Sequence, residues 1–94
     1  MALYLISYDI NEKNRDEYPE LWTELKRIQA VKILYSEWIT IDEVKQAAHI
    51  YERLSPLIKE TDRLLVQELL KDSSWDRLLI SDDDFRKWLA HARG

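Results

Sequence analysis

The chain has 94 residues, 46% of them hydrophobic, enough for one small domain with a single core and little margin. Cysteine is absent, which excludes disulfides, thiolate nucleophiles and zinc–thiolate sites. Gly94 is the only glycine, so there is no glycine-rich phosphate loop.

Net charge is −4, and residues 1–50 carry six Lys+Arg against nine Asp+Glu, residues 51–94 eight against nine. Proteins that coat nucleic acid concentrate positive charge, and this chain has no basic block. No apolar run reaches membrane-spanning length and no signal peptide precedes the first strand, so a cytoplasmic protein is expected. Four Trp and five Tyr are a heavy aromatic load, which leads to the expectation that a partner subunit covers some of it.

Leu3 to Ile10 reads LYLISYDI. Tyr4, Ile6, Tyr8 and Ile10 point one way, and Leu3, Leu5, Ser7 and Asp9 the other. Apolar residues on both faces predict a central strand covered front and back. Asp9 ends it, just before a polar run. Tyr18, Leu21, Trp22, Leu25 and Ile28 then recur at helical spacing, predicting a helix over Pro19–Gln29 with Pro19 in its first turn. Val31 to Ile41 is β-branched and aromatic and divides near Tyr35-Ser36 into two strands, with one bulged strand as the alternative.

Asp42 reads as the N-cap of a second helix with Glu43 in its first turn and Val44, Ala47, Ala48, Tyr51, Leu54 and Ile58 as its apolar face. Pro56 should loosen its last turn. Arg63–Leu69 is the next strand, and KDSS (Lys71 to Ser74) a turn. Trp75–Ile80 reads as a final strand. Ser81 with Asp84 resembles a capping box opening a last helix, with Phe85, Trp88, Leu89 and Ala92 on one side.

The expected fold is α+β, a single ferredoxin-like βαββαβ domain over residues 1–94 with an additional C-terminal strand and short helix. Its antiparallel sheet carries helices on one face. The other face is then open to a partner.

LISYDI, YSEWIT, LSPLIKETDRLLVQEL and the late Trp-led strand resemble the SinR-like proteins. These belong to the wider superfamily of the second CRISPR-associated core protein, here Cas-two, with the VapD toxins as further relatives. The resemblance implies a homodimer whose sheets face each other, with the strand at Trp75–Ile80 extending the partner's sheet. It also implies that Asp9, matching the acid that ends the first strand, is catalytic and holds Mg²⁺ between subunits for cleavage of RNA or DNA. Ser36 matches a serine common in that hairpin. The basic residues that Cas-two proteins often show after the first strand reduce here to Lys13 and Arg15, amid Glu12, Asp16 and Glu17.

Asp9 alternatively accepts backbone N–H bonds in the following turn, and both roles stay open. Asp82-Asp83-Asp84 suits a helix start electrostatically rather than a metal. His49 and His91 fall on predicted polar faces, without a second histidine at ligand spacing. Lys26-Arg27 and Arg86-Lys87 are pairs on solvated helix faces. Two functions from different classes follow: a metal-dependent nuclease using Asp9, or a non-catalytic dimeric module that binds a protein partner, in CRISPR or toxin–antitoxin company.

Overall fold

The computed structural model describes residues 1–10, 17–43 and 46–94. Lys13, Arg15 and Val44, which the sequence analysis singled out, lie outside them. The elements are β1 (Ala2–Asp9), α1 (Pro19–Arg27), β2 (Val31–Leu34), β3 (Glu37–Asp42), α2 (Ala47–Leu54), a 3₁₀ turn (Ser55–Leu57), β4 (Arg63–Glu68) and α3 (Asp82–Leu89). The four strands form one sheet in the order β2-β3-β1-β4, with every neighbouring pair antiparallel. This is a small α+β fold, compatible with a ferredoxin-like plan.

β1 is central, as its two apolar faces require. On its first face Tyr4, Ile6 and Tyr8 are buried with Leu21 and Leu25 of α1 and Ile50 and Leu54 of α2. The stripe predicted for α1 is the one that packs, with Pro19 in its first turn. Trp22 sits among aromatic rings, its centroid 5.8 Å from that of Tyr8 and 6.4 Å from that of Trp38. The Trp38 indole N–H donates to the Tyr8 hydroxyl at 3.0 Å, so the buried polar ends of the nest are paired.

α2 departs from expectation. Of the predicted face Leu54 is buried and Ala47 and Ile58 pack on the core, but Tyr51 is exposed and Ile50 is buried instead. The predicted stripe assumed a helix starting at Asp42. Asp42 instead ends β3, and α2 is preceded by Gln46 in an extended conformation. Pro56 acts as expected, ending α2 in the 3₁₀ turn.

The second sheet face corrects two expectations. Helices are not confined to one face: Phe85 of α3 and Ala92 are buried with Leu3, Ile33 and Ile39 on the side opposite α1 and α2. Trp75–Ile80 forms no strand within the chain. It runs irregularly, with Trp75, Leu78 and Ile80 packed on this second cluster. Arg77 takes a positive φ of 52°, which no continuous strand allows. One contact with the sheet's backbone remains there, the Leu79 N–H donating to the Ile33 carbonyl at 2.9 Å. Ser81 caps α3 as predicted, its hydroxyl accepting from the Asp84 N–H at 3.1 Å.

The C-terminal segment is fastened to β4. Arg93 donates two bonds to the Glu68 carboxylate, at 2.6 and 2.5 Å, and the Lys71 N–H donates to the Arg93 carbonyl at 3.1 Å. Glu68 holds Arg93 in its charged form, pushing its pKa up. Near this clamp the Tyr4 hydroxyl is buried, and burial with the charge of Glu68 raises its pKa.

Phe85→Ala is expected to cost about 3–5 kcal/mol in urea unfolding, because it empties the centre of the second cluster. A second check uses Tyr18, whose hydroxyl donates to Asp62 at 2.6 Å; that bond, with burial, pushes its pKa up to about 12. An unfolded tyrosine titrates at about 10, so this stabilisation is complete below that pH and disappears as pH rises through the folded value. The melting-temperature advantage of the native chain over Tyr18→Phe is therefore expected to hold at neutral pH and shrink across that alkaline window.

Candidate functional site

Asp9 stands at the carboxyl end of β1, where the β1–β4 register sets it opposite Arg63. Facing residues of an antiparallel pair share a sheet face. One arginine nitrogen lies 2.6 Å from the Asp9 carboxylate, and the Arg63 and Asp9 side chains are 80% and 66% exposed respectively. With Ser7 and Leu65 they border an open hollow of about 170 Å³. Asp9 is thus on the face opposite α1 and α2, the side that alternation predicted.

One row inward, Leu34, Glu37, Ser7 and Leu65 are in register across all four strands. Leu65 is 54% exposed and Leu34 40%, so the C-terminal segment leaves this end of the second face uncovered. The next rows, holding Ile39 and then Leu3, are the ones it buries. Between the exposed row and the covering segment lies an apolar hollow of about 210 Å³, bordered by Leu5, Leu34, Trp75 and Phe85. β4 is an edge strand along its other side.

Mg²⁺ takes oxygen ligands in near-octahedral geometry and usually keeps several waters. Among the described residues, the side-chain groups that border the Asp9 hollow include its own carboxylate, the Ser7 hydroxyl and the Arg63 guanidinium against the carboxylate. The described contact of Asp9 is an ion pair with Arg63. Among the described residues no group of three or more His, Asp or Glu could hold a metal ion.

Asp82, Asp83 and Asp84 occupy the first turn of α3, where Asp82 accepts from the Trp75 indole at 3.1 Å and Asp83 pairs with Arg86 at 3.5 Å. His91 lies beside Trp88 and Lys87 on the C-terminal segment. His49, expected to be a solvated surface residue, is partly exposed and also paired. Its Nδ1 is 2.9 Å from the Asp42 carboxylate, and it lines a hollow with Arg53. Taking Asp42 as a helix cap hid this pair, since a cap directs its oxygen to backbone N–H groups. No protein-family model matches the chain. Among the described residues no helix is long and apolar enough to cross a membrane.

An exposed ion pair contributes little, so Asp9→Asn and Arg63→Gln are each expected to cost less than about 1 kcal/mol in urea unfolding. A larger loss would give Asp9 a structural role beyond this pair.

Proposed function

We propose that the chain is a non-catalytic homodimeric interaction module built on a ferredoxin-like sheet, in the manner of the SinR-like and Cas-two proteins it resembles. The observation that carries this is the uncovered row on the second sheet face, where Leu34 and Leu65 are exposed and β4 is an edge strand among the described residues. Exposed sheet edges and exposed large apolar side chains on a sheet face are natural contacts for a second copy. Asp9 belongs to this surface as an ion-pairing residue with Arg63, giving the interface a charged rim.

The competing reading is a Mg²⁺-dependent nuclease acting on RNA or DNA. It is favoured by one fact: Asp9 is exposed at a strand end beside the same surface, where a two-fold axis could bring two copies of it together. The net charge of −4 and the arginine already paired with Asp9 favour the binding module.

Light scattering after size exclusion is expected to give the mass of a dimer at micromolar concentration. Leu65→Glu, at an exposed position, should give a folded monomer with an unchanged circular dichroism spectrum. A monomeric native chain, or a Leu65→Glu dimer, would overturn the proposed interface. Cleavage of RNA or DNA with Mg²⁺ or Mn²⁺ that is lost in Asp9→Asn would replace the module with the nuclease.

A further inference from the structure

A second concave feature built from charged side chains lies at the opposite end of the sheet, where Asp42 pairs with Ala2. The β2–β3 register begins at Val31↔Ile39, so Thr40–Asp42 run on without a β2 partner. Against this stretch lies a hollow of about 190 Å³ whose lining includes Ile28, Thr40, Asp42, His49, Ile50 and Arg53. Its wall is fixed in part by the Thr40 hydroxyl, which donates to the Ile28 carbonyl at 3.0 Å and leaves that end of α1 docked on β3.

His49 and Arg53 are four apart on α2, one turn from each other on one helix face. Asp42 takes the Nδ1 side of the imidazole, which fixes the ring and leaves Nε2 as its remaining polar atom. Arg53 is loosely held. Its nearest carboxylate, Glu24, is 3.9 Å away. Glu24 already accepts two bonds from Arg27, which hold its carboxyl below the usual range. The guanidinium fork of Arg53 thus makes no hydrogen bond among the described residues, beside a hollow that also has aliphatic walls.

We propose that this hollow binds a short-chain aliphatic carboxylate. Arg53 meets the carboxylate with its fork, the geometry in which an arginine binds a carboxylate best. Nε2 of His49 is the second polar contact, donating when the ring carries both protons. The alkyl tail lies on Ile28 and Ile50. The site is independent of the dimer surface, which is at the other end of β1, so either can fail without the other.

The test is a ¹H–¹⁵N NMR titration of the full chain with sodium butyrate, with sodium acetate and sodium chloride at matched ionic strength as comparisons. Butyrate is expected to give saturable shifts at Ile28, Thr40, His49 and Arg53. It should bind roughly tenfold tighter than acetate, because two more methylenes leave water. Arg53→Gln should weaken butyrate roughly tenfold or more while signals elsewhere keep their positions. Arg53→Lys, which keeps the charge and loses the fork, should fall between. His49→Gln should weaken binding independently. Identical, non-saturating shifts with all three salts, or an unchanged butyrate affinity in Arg53→Gln, would overturn the site.

Discussion

β1 hydrogen-bonds to a neighbour along each edge and buries side chains on each face, so this short chain must cover both surfaces of one sheet. The helices α1 and α2 cover the first face with Leu21, Leu25, Ile50 and Leu54. Only the residues after β4 remain for the second. They bury the rows of Leu3 and Ile39 under Phe85 and Ala92 and stop short of the row of Ser7. The uncovered row is thus what is left when a central strand of eight residues outreaches its C-terminal cover.

The cover is held by specific polar contacts as well as by apolar area. The two bonds from Arg93 to Glu68 and the Lys71–Arg93 backbone bond draw the chain end against β4. Trp75 stacks edge-on with Phe85 at 4.7 Å and donates to Asp82, tying the irregular segment to the start of α3. These contacts make the cover intramolecular in the single chain. A subunit exchange of Trp75–Ile80 would have to break them, whereas contact through the Leu65 row leaves them in place.

Much of the layout was legible in residue spacing. Alternation in LYLISYDI identified the central strand and both of its faces. The stripe from Tyr18 to Ile28 identified the packed face of α1, and Ser81 the start of α3. What spacing could not show was decided by backbone geometry and tertiary contact. WDRLLI has the composition of a strand, but a positive φ at Arg77 interrupts it, and nothing in an arginine announces that conformation. Tyr51 looked like a core residue because its spacing from Ala47, Leu54 and Ile58, which do pack, fits one helix face. The partnership of Asp42 with His49 is a contact between a strand end and a helix, which periodicity within either element does not report. Asp9 was legible as the end of its strand, but its pairing with Arg63, 54 residues away, needed the sheet register.

That pairing bears on how two copies could meet. A two-fold interface is self-complementary, so Asp9 of one chain can lie near Arg63 of the other while the reverse contact forms by symmetry. Two exposed ion pairs can exchange partners across such an axis with little loss, since each is screened and weak before association. Bringing two Asp9 carboxylates together around a metal instead removes both from their arginines and leaves two guanidiniums beside a dication. For the proposed dimer, these electrostatics favour a role of Asp9 in recognition over one in holding a metal. In the proposed dimer the exposed Leu34 and Leu65 would supply apolar contact and the charged pair would set the orientation.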